Sequence, residues 1–307
     1  MEEKVPVTHG RNKGAYEKMK QITVLSGKGG TGKTTITASF AVLAHDIVIA
    51  DCDVDAPDLH MLLHPQIMKT QEFKGPKLAV IDRTKCTECG LCQNSCRFDA
   101  INDSLQIDPF SCEGCGVCVV VCPEEAISLQ ERNSGYAFTS KTKYGIMSHA
   151  RLDPGEANSG KLVTLVRYNA RQIAEEENRD LILIDGPPGI GCPVIASVTG
   201  VDAGLIVTEP TMSGIHDLDR ALQLLNHFNI LPLVCINKYD INRKNTEKIV
   251  KFCEKNKVEV AGKISFDSIV TEAMVAGKTV VEHSPENMVS QEIETTWKRV
   301  LSALNRE

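Results

Sequence analysis

An apolar run, Ile22-Thr23-Val24-Leu25, gives way to Gly27-Lys28-Gly29-Gly30-Thr31-Gly32-Lys33-Thr34-Thr35 and then to an Ala-rich apolar segment from Ile36 to His45. A strand, a glycine loop and a helix in that order predict a phosphate-binding loop. Glycines let the backbone curl until successive N–H groups point at phosphate oxygens. Lys33 is placed to reach the β- and γ-phosphates, and the Thr34 hydroxyl to sit on Mg²⁺. A loop of this kind belongs at the end of a buried parallel strand. The expected fold class is therefore α/β, with a doubly wound, mostly parallel sheet.

Three later strands carry the residues such a site needs at their carboxyl ends. Ile47-Val48-Ile49-Ala50 runs into Asp51-Cys52-Asp53-Val54-Asp55. Asp53 is predicted to orient or activate the attacking water, with Asp51 and Asp55 as second choices. Leu181-Ile182-Leu183-Ile184 runs into Asp185-Gly186-Pro187-Pro188-Gly189. Asp185 is expected to hold Mg²⁺ through its water shell, and the Gly189 N–H to sense a γ-phosphate. Leu231 to Ile236 ends in Asn237-Lys238-Tyr239-Asp240, where Asn237 could read a purine edge. That string also fits the N-K-x-D motif of guanine readers, so by itself it leaves ATP and GTP open. Further strands are predicted over 204–208 and 258–264, with helices over 162–177, 213–226 and 269–276.

A different pattern occupies the middle of the chain. Ile81-Asp82-Arg83-Thr84-Lys85-Cys86 recurs 26 residues later as Ile107-Asp108-Pro109-Phe110-Ser111-Cys112. Cys86, Cys89, Cys92 and Cys96 match Cys112, Cys115, Cys118 and Cys122 at that offset, and Gly90, Ala100 and Ile101 match Gly116, Ala126 and Ile127. Each half reads C-x₂-C-x₂-C-x₃-C. Thiolates so spaced wrap three corners of a cubane cluster while the fourth serves the other cluster. One [4Fe–4S] cluster would take Cys86, Cys89, Cys92 and Cys122, and the second Cys96, Cys112, Cys115 and Cys118. Zinc sites more often pair two C-x₂-C knuckles. The unit resembles bacterial two-cluster ferredoxins over about Ile81 to Gln130. It departs from them at Arg97, where that family usually has the proline that Pro123 supplies in the second half.

These features divide the chain into residues 1–18, a polar leader or tag; 19–77 and 131–307, a nucleotide-binding domain; and 78–130, an inserted α+β ferredoxin-like domain. Residues 133–160, rich in Gly, Ser, Thr and Lys, read as hairpins and loops leaving the insert. Eight of the 12 cysteines stand at metal-ligand spacing, which favours a reducing, cytoplasmic setting over a disulfide framework. Cys52, Cys235 and Cys253 read as structural, and Cys192 as a packed thiol. The net charge of −6 gives no bulk attraction to nucleic acid, so no direct nucleic-acid binding is expected. No apolar run approaches the ~18 residues of a membrane span. The stretch from Ser290 to Asn305, with Ile293, Trp297, Val300, Leu301 and Leu304 on one helical face and mixed charges, is predicted to pack on the domain rather than on a membrane.

The second lysine of the glycine loop, Lys28, makes Gly27 to Thr34 resemble the deviant Walker A of the MinD/ParA class, which includes the nitrogenase iron protein and Mrp-type cluster carriers. Asp51-Cys52-Asp53 resembles that class's switch I and Asp185 to Gly189 its switch II. Ser213 to Arg220 resembles the helix after the fourth core strand. The whole is similar to MinD-superfamily ATPases with an inserted ferredoxin domain, some of which carry a cobyrinic acid a,c-diamide synthase-like label. No amidotransferase half is evident here. The resemblance implies that Lys28 crosses a dimer interface to the partner's nucleotide, that ATP clamps a homodimer which hydrolysis to ADP releases, and that Asn237 lies beside adenine. The expected function is an ATPase whose nucleotide-gated dimer controls electron transfer through the two clusters toward a redox partner. The alternatives are a cluster scaffold or carrier serving an apo-metalloprotein, and a MinD/ParA-like positional switch with a redox-sensing insert.

Overall fold

The computed structural model describes residues 19–156 and 159–306. The expected leader lies outside them. The glycine loop joins β1 (Lys20–Ser26) to α1 (Lys33–Ala44), and β2 (Ile47–Asp51) follows. Next come α2 (His60–Leu63), β3 (Gln66–Lys74), β4 (Leu78–Ile81), α3 (Leu91–Asn94), α4 (Val117–Val120) and β5 (Ile127–Gln130). The chain then runs through β6 (Asn133–Thr142), β7 (Gly145–Leu152), α5 (Ser159–Glu176), β8 (Leu181–Pro188), α6 (Cys192–Val198), β9 (Ala203–Thr208) and α7 (Met212–His227). It ends with β10 (Leu231–Asn237), α8 (Arg243–Lys255), β11 (Glu259–Ile264), α9 (Ile269–Val275), α10 (Val280–His283) and α11 (Met288–Leu304).

Nine strands form one sheet in the order β11-β10-β9-β1-β8-β2-β7-β6-β3. From β11 to β7 every pair is parallel; β6 and β3 then add an antiparallel edge. Every residue of β2 and β9 is buried, as expected of parallel strands covered on both faces. On one face α5, α6, α7 and α8 close an apolar core with Val48, Ile184, Ile206 and Val234. On the other, α1 and α11 bring Phe40 against Trp297, ring centroids 4.8 Å apart, over Ile22, Leu183 and Leu205. The chain leaves β1 for β2 on one side and later places β9 on the other. The carboxyl end of β1 is therefore the switch point of the sheet, where a crevice must open.

A hairpin is expected within 133–160, and β6 and β7 form one, pairing antiparallel and closing at Thr142 and Gly145. β6 and β7 are ten and eight residues long and extend the main sheet, with β7 pairing parallel to β2. Their polar composition disguises how far the strands run and that the main sheet takes them in, because the tertiary setting satisfies the polar groups. Buried Ser148 donates its hydroxyl to the Val166 carbonyl at 2.9 Å, and Ser140 lies 2.8 Å from His149 Nε2. The exposed edge strand β3 and the helices α6 and α8 were not anticipated either. The carboxyl-terminal helix packs as expected, with Ile293, Trp297, Val300 and Leu304 buried.

Between β3 and β6 the chain builds a separate two-stranded antiparallel sheet, pairing Leu78–Ile81 with Ile127–Gln130. Ala79, Cys92, Ile101, Leu105 and Ile127 form its own apolar cluster. The 26-residue repeat is visible in the backbone. Gly90 (φ 73°) and Gly116 (φ 79°) both take the left-handed conformation at the start of four-residue helices, α3 and α4. Asp82 accepts from the Thr84 N–H just as Asp108 accepts from the Phe110 N–H.

Candidate functional site

The glycine loop lies in the crevice at the end of β1. Gly30 and Gly32 have φ of 77° and 87°, a region costly for other residues. A Cβ on Gly27 would lie 2.3 Å from Asp217 Cβ, and one on Gly32 2.3 Å from Asn237 Nδ2. The loop is thus clasped between α7 and the end of β10.

Lys33, only 6% exposed, sits among carboxylates from two neighbouring strands. Its Nζ lies 2.9 Å from Asp185 Oδ1 and 4.0 Å from Asp53 Oδ2. Thr34 donates to Asp185 Oδ2 at 2.8 Å, and Thr37 to Oδ1 at 2.8 Å. Burial draws the Lys33 pKa down, but Asp185, Asp53 and Asp51 more than offset it, so the ammonium is held above its ordinary value. Burial, with Asp185 close by, pushes Asp51 well above the carboxylate range. Burial also lifts Asp53 to about 6, against the opposing pull of Lys33. Asp51 Oδ1 accepts the Asp53 N–H, while its buried Oδ2 has no partner. Asp51 stands in register with Asp185, which takes the Thr34 hydroxyl, and an orphaned oxygen in that place fits Mg²⁺, which takes oxygen ligands and keeps several waters.

The structure brings Lys33, Thr34, Asp53 and Asp185 together, and it gives three other predicted residues different surroundings. Asn237, expected beside the purine, donates Nδ2 to the Thr31 carbonyl at 2.7 Å and accepts the Lys238 N–H on Oδ1. In this state it braces the loop. The Gly189 N–H, expected at a γ-phosphate, is bonded to the Ser26 carbonyl at 2.9 Å, so a phosphate would have to displace that bond. Lys28 lies along its own chain, Nζ 3.3 Å from Ser213 Oγ and 3.7 Å from Glu209 Oε2, while Lys238 takes the other Glu209 oxygen at 2.7 Å. Thr37, Glu209 and Ser213 were not among the candidate site residues read from the sequence. Only Thr37 left a signal there, one helical turn after Thr34.

The eight repeat cysteines line two cavities of the small unit. One gathers Cys86, Cys89, Cys92 and Cys122 with Gly90, Leu105 and Ile127. The other gathers Cys96, Cys112, Cys115 and Cys118 with Ala79, Ile101 and Gly116. Each cavity takes three thiols from one half of the repeat and the fourth from the other. In the first, the Glu88 and Ala126 N–H groups point at Cys86 and Cys122 Sγ, at 3.4 and 3.3 Å. Among the described residues no three His, Cys, Asp or Glu side chains are arranged to hold a single metal ion. Burial pushes the Cys235 thiol up to about 12 and Cys253 up to about 11, and raises Cys52 as well. These are inert core thiols. Cys192 is exposed at the start of α6.

A glycine loop at the switch point, a buried lysine among strand-end carboxylates and a mostly parallel sheet define an α/β P-loop nucleotide-binding domain. The comparisons narrow this. The chain belongs to the CobQ/CobB/MinD/ParA nucleotide binding domain family, whose model matches residues 22–280. It is 38% identical over 228 residues to an uncharacterised protein of Methanocaldococcus jannaschii, covering 73% of this chain and 80% of that one. It is 25% identical over 239 residues to the chloroplastic septum site-determining MinD homologue of Arabidopsis thaliana, covering 76% of this chain and 58% of that one. The fold matches the septum site-determining protein MinD of Pyrococcus horikoshii, solved with Mg-ADP, at a TM-score of 0.56 and 17% identity over 94% of this chain and 99% of that one. The chain is a MinD/ParA-family P-loop ATPase.

Proposed function

We propose that this protein is a Mg·ATP-hydrolysing switch that closes as a homodimer, and that its cysteine-rich unit carries two [4Fe–4S] clusters governed by the nucleotide state. The observation that carries the reading is the crossed grouping of cysteines, three from one half and one from the other in each cavity. This is the ligand pattern of two-cluster ferredoxins, and the apolar lining limits water. When bound, the clusters would supply one-electron chemistry. The N–H groups aimed at Cys86 and Cys122 would favour the reduced charge on the first.

At the nucleotide site, Lys33 would hold the β- and γ-phosphates, the Thr34 hydroxyl would sit on Mg²⁺, and Asp185 and Asp51 would hold its water shell. Asp53, its carboxylate lifted toward neutrality by burial, accepts a proton from the attacking water. The water oxygen bonds to the γ-phosphorus, the β–γ bridge breaks, and ADP leaves with the electron pair. Lys28 must leave Ser213 and Glu209 to reach a partner's phosphates, so hydrolysis and association are coupled. The MinC:MinD complex of Aquifex aeolicus has the same fold at 22% identity, and that likeness is compatible with a switch that binds a protein partner.

The test is anaerobic iron and sulfide analysis with EPR on the full chain. About eight of each per chain are expected, falling by about four in Cys122→Ser or in Cys96→Ser. Bound zinc, or no iron after anaerobic reconstitution, would refute the cluster reading. An ATPase rate that is the same in the reduced and oxidised protein would refute the coupling.

A further inference from the structure

We infer that the turn 153–156 ties switch I to one of the two cysteine cavities only, the one lined by Cys112, Cys115, Cys118 and Cys96, with Glu156 as its positioning residue. This rests on the two-cavity reading above. The connection is continuous on the page. Val54, next to Asp53, accepts the Leu152 N–H at 3.2 Å. The chain leaving β7 turns at once, with the Asp153 N–H on the Ser134 carbonyl and the Glu156 N–H on the Asp153 carbonyl. The Glu156 carboxylate then meets Arg132 at 3.0 Å, the two side chains only 10% and 18% exposed. Arg132 passes its other arm to the Pro109 carbonyl at 2.6 Å, three residues before Cys112. Gly155 (φ +81°) is packed so tightly on Phe110 that a Cβ there would lie 2.7 Å from the ring.

Among the described residues, the first half of the repeat makes no matching tie in its own hydrogen bonds. Arg83, the counterpart of Pro109, donates to the Ser104 and Leu105 carbonyls, and Gln93 donates to Asp103, all inside the small unit. The asymmetry has a physical consequence. An ion pair this buried is costly to break from one side, so Arg132 and Glu156 move as one body. A displacement of Val54 when switch I closes on nucleotide therefore reaches the Pro109–Cys112 segment before it reaches Cys86.

Hydrogen exchange on the full-length, anaerobically prepared protein tests this, with and without Mg²⁺ and a non-hydrolysable ATP analogue. The expected result is protection of 27–35, a severalfold change in exchange at 51–56, 150–156 and 107–118, and none at 83–95. Glu156→Gln, close in shape, should keep the response at 27–35 and 51–56 and lose it at 107–118. Phe110→Ala, which spares the ion pair, should weaken it. Exchange in the β1 and β8 strands reports whether each variant is folded. Equal responses at 83–95 and 107–118, or a response at 107–118 that survives in Glu156→Gln, would overturn the inference. Protection absent at 27–35 would instead sink the nucleotide site and the inference with it. An iron content of zero with the 107–118 response intact would sink the cluster reading alone.

Discussion

Replacing Asn237 with alanine separates two roles that the sequence leaves together. The Asn237 amide donates to the Thr31 carbonyl at 2.7 Å, and Thr31 is buried. Removing the donor leaves a buried acceptor unpaired, which costs about 1–3 kcal/mol. The loop relaxes to avoid that cost, and any ligand that needs the ordered loop must restore it. Affinity should therefore fall by about 5- to 150-fold. The decisive feature is that the loss should be indifferent to the base. Calorimetry with Mg·ATP, Mg·GTP and inorganic tripolyphosphate should show the same factor for all three, because the brace acts on the phosphate loop. If ATP alone weakens while GTP and tripolyphosphate hold, Asn237 reads adenine and the bracing argument is wrong. The neighbouring string supports the first outcome. Lys238 is committed to Glu209, and Asp240 accepts the Phe266 N–H at 2.8 Å, so neither is free for a guanine edge in this state.

Lys28→Ala should leave monomer affinity for Mg·ATP within about threefold, since Lys28 rests on Ser213 and Glu209 rather than on Lys33, while abolishing ATP-dependent dimers in light scattering. Dimers that persist would refute a lysine acting in trans. His149 is buried on β7, and burial lowers its pKa from 6.5 to about 4. The unfolded chain takes up that proton first, so the contribution is intact above pH 6.5 and lost as pH falls toward 4, by about 1.3 kcal/mol between pH 7.5 and 5.5. Urea unfolding followed on Trp297, the one tryptophan, should show a flatter pH slope in His149→Gln than in the parent. Coincident slopes would remove His149 from the account.

Local order along the chain carried much of the nucleotide site. Gly27 to Thr35, Asp53 and Asp185 were legible because each follows an apolar run, and the carboxyl ends of parallel strands must converge at the switch point. The cysteine grouping was legible for a similar reason. A repeat with short spacing leaves three thiols on one loop and sends the fourth across. The hairpin of β6 and β7 was legible, but its place in the main sheet was hidden because Ser140, Ser148 and His149 are buried polar residues paired with one another and with α5, and composition does not report pairing.

By itself the sequence pointed to which residues gather around the glycine loop and which cysteines meet in each cavity, since both follow from spacing along a backbone of fixed geometry. It also determined that residues 78–130 differ from what surrounds them. Only the tertiary structure decided the state of each group. Asn237 is spent on Thr31, the Gly189 N–H on Ser26, and Lys28 on Ser213 and Glu209. The tie from Val54 through Glu156 and Arg132 to Pro109 joins residues 54, 152, 156, 132 and 109. No periodicity links those positions. They meet because the sheet places the end of β7 beside the end of β2, and a contact between distant segments exists only once the sheet has formed.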